Sequence, residues 1–274
     1  MAALNLQIDE TDPTVKKVYG RYSDWKAFGI LTHYLEPGSD LSDEQAAELL
    51  YDILPSADNK KLSGQPDMLG CVLLDVAKQI PYHHPSQIRL LNLSKHLGRT
   101  DKMTLQTAHS DYKYSFYNTM GFLKVTLREW FPWSDKVNFC AFVARLSTTE
   151  ILQYFDGLSY AIWTMRDSLE DDGDKEEYHN DAISASAMWI ICAGQWLFDQ
   201  LVQFPRNIDG DDYYESAWSG GPLYKGPIIG LERWKFWQKA FTAAAESSMA
   251  NDECKKNALK AANLMDVIAR DCKW

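Results

Sequence analysis

The sequence predicts an all-α fold: a single domain, 1–274, of about ten helices packed as a bundle around one central apolar helix. Three observations carry that expectation. From Ala182 to Phe198 no side chain is charged, and a helix that is apolar on every face belongs inside a large core or a membrane. Elsewhere apolar residues recur at spacings of three and four, in segments closed by Pro, Gly and capping residues. No stretch shows a convincing period of two, and there is no tandem repeat or low-complexity tract.

The central run is read as the buried helix of a soluble bundle. It is a little short of the ~20 residues that a bilayer needs. It is flanked by Asp181 and Asp199 where a span would carry Lys or Arg, and it holds Ser184, Ser186 and Gln195. The remaining elements follow from periodicity and punctuation. Val15, Val18, Tyr19, Tyr22, Trp25, Leu31 and Leu35 predict an amphipathic first helix, closed by Pro37-Gly38. Ser42 with Gln45 has the form of a capping box ahead of Ala46, Leu49, Leu50 and Ile53, and Pro55 ends this second helix. After a loop from Ser56 to Pro66, Met68 to Ile80 reads as a third helix. Ser86 is placed to cap a fourth, which carries Ile88, Leu91 and Leu97 and stops at Gly98. The polar stretch 99–111 is the candidate subdomain boundary. Tyr112 to Phe131, Val137 to Leu146 and Ile151 to Leu169 are helical in period, and Glu170 to Lys175 is an acidic turn. Beyond the central helix a Gly-, Asp- and Tyr-rich loop runs to Gly230, followed by helices from Leu231 to about Met249 and from Asp252 to about Arg270.

Composition narrows the function classes. A formal charge of -10 argues against nucleic acid or an anionic membrane as the main partner, since both are held through Lys and Arg that neutralise phosphate. Cys71, Cys140, Cys192, Cys254 and Cys272 are odd in number, widely spaced and mostly at apolar helical positions. That is the pattern of buried thiols in a reducing compartment, so a cytoplasmic location is expected. The N-terminal stretch has neither a basic start nor an apolar core, and no secretory signal is visible.

Several catalytic machines lack their motifs: there is no phosphate-binding Gly-x-x-x-x-Gly-Lys, no Gly-x-Gly-x-x-Gly, no His-Glu-x-x-His, no Cys-x-x-Cys and no Gly-x-Ser-x-Gly. The acids Glu170, Asp171, Asp172 and Asp174 offer the oxygens that Mg²⁺ wants, but a turn at a helix end reads as a solvated face. Asn180, Asp181 and Ser184 match the start of a metal motif of class I terpene cyclases. The glutamate that motif needs is replaced by Met188, and no aspartate-rich partner lies upstream. The loop Gly220 to Gly226 presents backbone N–H groups near a helix start, as an anion site would, but it reads first as a plain interhelical connection. His83 and His84 adjoin between two helices, while His33, His96, His109 and His179 are isolated, so all six read as surface or satisfied histidines.

A more specific pattern sets polar groups among aromatics. Tyr160, Trp163 and Arg166 fall at about one-turn intervals on one helix, and Trp189, Gln195 and Trp196 project from the central one. If the two helices pack together, these side chains line a flat-walled cavity with a few hydrogen-bond donors, the usual composition of a small-molecule pocket. The plainer alternative is that the aromatics are core and that Arg166 pairs with Glu170 one turn later.

Several phrases then carry a family likeness: Ile80-Pro81-Tyr82-His83-His84-Pro85-Ser86-Gln87, Asn138 to Leu146, and Ile162-Trp163 through Arg166 to Leu169-Glu170. The most specific is Gly221-Pro222-Leu223 followed by Leu231-Glu232-Arg233-Trp234-Lys235-Phe236-Trp237. Together they resemble a fungal family catalogued only as a domain of unknown function, over roughly Met68 to Phe241. The resemblance implies fungal origin, a helical fold and, for some members, a place beside secondary-metabolite genes. It supplies no catalytic residues, and its loop before the Leu-Glu-Arg-Trp motif is more aromatic or Gly-rich than Lys225 to Gly230 here.

Two functions are consistent with these residues. The first is a cofactor-independent enzyme catalysing cyclisation, a pericyclic reaction of Diels-Alder type or isomerisation of an apolar terpenoid or polyketide. Folding a reactive substrate into one near-attack shape and donating a hydrogen bond to its polarised group supply much of the rate for such chemistry without a metal. Trp163, Trp189 and Trp196 would then shape the cavity, and Tyr160, Arg166 and Gln195 would orient or polarise a carbonyl. The alternative is a non-catalytic helical binding or scaffold protein whose exposed Tyr213, Tyr214 and Trp218 dock a partner.

Overall fold

Ser23, not Val15, starts the first helix. In the computed structural model, which describes residues 3–54, 65–97, 105–106, 113–114, 127, 137–149, 157–171, 179–205 and 207–271, α1 runs Asp24–Leu35. Ser23 is extended, and its hydroxyl accepts the Lys26 N–H at 3.3 Å as an N-cap. Upstream, the apolar spacing of Val15, Val18 and Tyr22 is overridden by local side-chain to backbone bonds. The carboxylates of Asp9 and Asp12 accept the N–H groups of Thr11 and Thr14 at 2.9 and 2.8 Å. Gly20 then takes a φ of 66°, closing the tight turn that pairs Tyr19 with Tyr22.

The chain divides into two compact units, one of Met1–Pro132 with Thr149–Phe155 and one of Trp133–Thr148 with Asp156–Trp274. In the first, α2 (Asp43–Ile53), α3 (Gln65–Gln79) and α4 (Ser86–Leu97) join α1. The capping box of α2 is present as the spacing predicts, with Ser42 Oγ accepting from Gln45 and the Gln45 side chain accepting from the Ser42 N–H. Tyr34 knits this unit together. Its hydroxyl meets the Asp43 carboxylate at 2.5 Å and the Arg89 carbonyl at 2.9 Å, while the Arg89 guanidinium lies over its ring at 4.5 Å. Burial and the neighbouring carboxylate push the Tyr34 phenol well above its ordinary range.

Two details of the expected helices differ. Ser86 does not cap α4 with its hydroxyl, which donates instead to the Leu35 carbonyl at 3.3 Å; His84 Nδ1 accepts the Ser86 N–H at 3.2 Å. Ile88 points out, 47% exposed, because Ser86, Gln87, Leu90 and Leu91 form the buried side. A two-residue antiparallel pairing, Leu105–Gln106 with Lys113–Tyr114, adds a ladder too short to carry a period. The rest of the candidate boundary 99–111, positions 56–64 of the expected loop Ser56 to Pro66, most of the expected Tyr112 to Phe131 helix, and Asp172, Asp174, His109 and Cys272 lie outside the described residues, while Gln65 and Pro66 belong to α3.

The second unit contains α5 (Val137–Ser147), α6 (Gly157–Leu169), α7 (Asn180–Phe198), α8 (Asp212–Ala217), α9 (Leu231–Glu246) and α10 (Asp252–Asp271). That makes ten α-helices among the described residues, and the fold is all-α. The central helix is α7: it packs against α5, α6, α9 and α10, and every residue from Ile183 to Ile190 is buried. Its small side chains permit that crowding. Ser186 Oγ bonds the Thr164 carbonyl at 3.0 Å and Ser168 Oγ at 2.6 Å across the α6 contact, so its polarity is satisfied inside the core. Among the described residues no helix is long and apolar enough to cross a membrane. At Ala193 (φ -146°, ψ 21°) α7 kinks, and its end runs into a π turn, Asp199–Gln203, closed by the Phe204 N–H on the Asp199 carbonyl at 2.7 Å.

Trp189, wholly buried at the middle of α7, is the largest side chain that this helix places in the core. Trp189→Ala is expected to lower the unfolding free energy by about 3–5 kcal/mol in a urea titration, the usual cost of deleting a buried aromatic.

Candidate functional site

The acidic turn after α6 is not a solvated face at its first residue. Glu170 continues the helix, its N–H bonding the Arg166 carbonyl at 3.0 Å, and its side chain is completely buried. The charge is tolerated because four donors meet it. Arg233 binds bidentately, Nε to Oε1 at 2.7 Å and Nη2 to Oε2 at 3.0 Å. Trp237 Nε1 donates to Oε1 at 2.6 Å and the Gly221 N–H to Oε2 at 2.8 Å. Arg233, also wholly buried, directs its other N–H groups at the carbonyls of Trp218 (2.5 Å), Ile228 (2.7 Å) and Ser219 (3.4 Å). The loop Gly220 to Gly226, expected to be a plain connection, thus turns the N–H of Gly221 to an anion, the protein's own Glu170. Gly221 is required there: a Cβ would lie 2.5 Å from the Glu170 carbonyl oxygen.

This clasp orients α9. Arg233 and Trp237 face inward, so Lys235, two residues and about 200° of helical turn from each, is on the outer side, and Leu231 and Gln238 lie on the flank between Lys235 and the buried Trp234. That flank forms one wall of a groove of about 630 Å³. Asp266, Ala269 and Arg270 of α10 form a second wall, and Phe198 with Val202, Gln203 and Phe204 of the π turn closes it. Phe198 is buried and edge-on to Trp234 at 4.9 Å, which gives the groove a fixed apolar floor; Phe204, 75% exposed, stands at the rim. Arg270 lies 4.0 Å from Asp266 and 3.4 Å from Asp271.

The residues expected to line a cavity are placed otherwise. Helices α6 and α7 do pack together. Tyr160 is buried and edge-on to Trp163 at 5.5 Å. Trp163 Nε1 and Arg166 Nη1 both donate to the Ala217 carbonyl, at 2.8 and 3.1 Å, and Arg166 turns its Nε to Asp167 at 3.1 Å instead of pairing with Glu170. Trp189 is sealed in the core, and among the described residues its Nε1 has no hydrogen-bond partner. Trp196 approaches the start of α6 near Gly157, and Gln195 is exposed, donating to Asp199 one turn on at 2.9 Å. None of the six lines the groove. Trp218 is also corrected: it is wholly buried, its indole N–H bonding Ser159 Oγ at 2.8 Å, and Tyr214 leans on it at 4.7 Å while Tyr213 alone of the three is exposed. Asn180 is occupied as well, its side chain accepting the Asn251 N–H at 2.8 Å.

Sequence reading passed over the groove because its walls come from three segments and none of them is a motif. The one usable signal is the one-turn spacing of Leu231, Lys235 and Gln238 beside a helix side that Arg233, Trp234 and Trp237 fill. Among the described residues no group of three or more His, Cys, Asp or Glu is placed to hold a metal ion.

Glu170→Gln leaves Arg233 with a weakened partner in a site without water access, and a loss of about 3–5 kcal/mol of stability is expected in denaturant titration. Arg166→Ala, removing a half-buried bond to one carbonyl, costs about 1 kcal/mol. Equal losses in the two variants would show that the buried clasp carries no special weight.

A family model described as Protein of unknown function (DUF3632) matches residues 71–241, which spans α3 through the middle of α9. Comparison with curated proteins and with solved structures finds no match.

Proposed function

The chain belongs to the DUF3632 family, and we propose that it is a helical binding protein for an apolar small molecule, held in the groove between the π turn, α9 and α10. The observation that carries this reading is the groove itself. At about 630 Å³ it falls in the size range of ligand pockets, roughly 300–1,000 Å³. Its floor is apolar, through Phe198, Val202 and Leu231, and a few polar groups stand at the rim. A binding role fits better than catalysis because Lys235, Asp266 and Arg270 are all exposed, whereas electrostatic catalysis depends on polar groups held away from water. The free thiols of Cys140 and Cys254, both buried, support a reducing, cytoplasmic setting.

A second reading is a cofactor-independent cyclase or isomerase of fungal secondary metabolism acting on a terpenoid or polyketide. It is favoured by one observation, an amine and a carboxylate, Lys235 and Asp266, around a single apolar floor. Turnover of a bound ligand would separate it from simple binding.

The neutral fluorophore N-phenylnaphthylamine is expected to bind with micromolar affinity and a rise in emission. Ala269→Trp, which fills the groove from a half-buried position on α10, should weaken that binding at least tenfold with unchanged circular dichroism. Binding that survives the substitution would place the ligand elsewhere and remove the basis of the proposal.

A further inference from the structure

We infer that the groove's ligand is an organic anion, an apolar body bearing a carboxylate or similar acid group, and that Lys235 selects it. The inference rests on the groove being a binding site and adds the chemistry of its occupant. Three charged side chains line the groove: Lys235, Asp266 and Arg270. Arg270 is already answered by two carboxylates, Asp266 at 4.0 Å and Asp271 at 3.4 Å. Lys235 makes no ion pair among the described residues, so of the two cations and one carboxylate that line the groove its ammonium is the one without an opposite charge within 4.0 Å.

The placement of that ammonium suits a head group. Lys235 lies one turn from Leu231 and just under one turn from Gln238 on the same face of α9. A ligand whose body rests on Leu231, Val202 and Phe198 therefore brings its polar end to Lys235, with the half-buried Gln238 amide as a second donor. The long apolar stem of lysine packs along such a body while its charge stays at the rim. Charge also supplies selectivity. The protein carries a net -10, so its surface at large repels anions, and a cation over an apolar groove gives an amphipathic acid a favourable place to settle. A neutral ligand of the same shape would gain the floor contacts and nothing from the amine.

Two probes that share a ring system test this: anilinonaphthalene sulfonate, which is anionic, and N-phenylnaphthylamine, which is neutral. Each is titrated by fluorescence at low salt into the full chain, into Lys235→Gln and into Lys235→Arg. Lys235 is exposed, so both variants are expected to fold, with circular dichroism as the control. The expected result is that Lys235→Gln weakens the sulfonate about tenfold more than it weakens the neutral probe, which loses only stem contacts, and that Lys235→Arg restores the difference. Equal weakening of both probes would mean that lysine contributes only its stem, and an unaffected sulfonate would mean that the amine does not touch the ligand. Either overturns the inference while leaving the groove a binding site. If neither probe binds the unsubstituted chain, or if both still bind Ala269→Trp, the binding reading itself fails.

Discussion

One buried carboxylate organises the second unit. Glu170 directly follows α6, yet its carboxylate accepts four hydrogen bonds from a loop and from α9, given by Gly221, by Arg233 and by Trp237. A buried ion pair of this kind is a poor source of net stability, because desolvating both charges offsets much of their attraction. Its value is conformational. Arg233 satisfies itself only when the carbonyls of Trp218, Ser219 and Ile228 converge on it, so the loop between α8 and α9 has one arrangement in which no buried charge is left unpaired. The most specific family motif, Gly-Pro-Leu followed by Leu-Glu-Arg-Trp, is thus a device for fixing the loop and the rotation of a helix.

The groove is a consequence of that rotation. A helix whose Arg233 and Trp237 are committed inward has Lys235 on its far side, with Leu231 and Gln238 on the flank between Lys235 and Trp234. The π turn after α7 contributes the third wall. Its wider winding, together with the kink at Ala193, departs from regular helix just where Phe198, Val202 and Phe204 gather. Irregular backbone and an apolar hollow therefore coincide at one end of α7, while the regular middle of that helix, Ile183 to Ile190, is closed core. Of the aromatic and polar residues that looked like a cavity lining, Trp163 and Arg166 secure the Ala217 carbonyl, Trp189 fills the interior, and Gln195 is exposed.

Much of the fold was legible along the chain. The uncharged run at α7 announced its burial, the Ser42 and Gln45 pair its capping box, and Pro and Gly most of the helix ends. The start of α1 was misread since periodicity from Val15 onward competes with turns built by Asp9, Asp12 and Gly20, and local hydrogen bonds won. Trp218 was misread because an indole in a polar loop carries no mark of the distant Ser159 that receives its N–H.

By itself the sequence determined which segments are helical, which helix is central and which side of each is apolar, because spacing, caps and side-chain polarity are local properties. Only the tertiary structure decided which charges lie inside and where a hollow is left. Glu170 and Asp171 are neighbours with the same chemistry, yet one is wholly buried and the other partly exposed. The difference is made by Arg233 and Trp237, more than sixty positions away. Whether a charge can leave water depends on partners that only folding brings within reach, and the space beside those partners exists only once they have met.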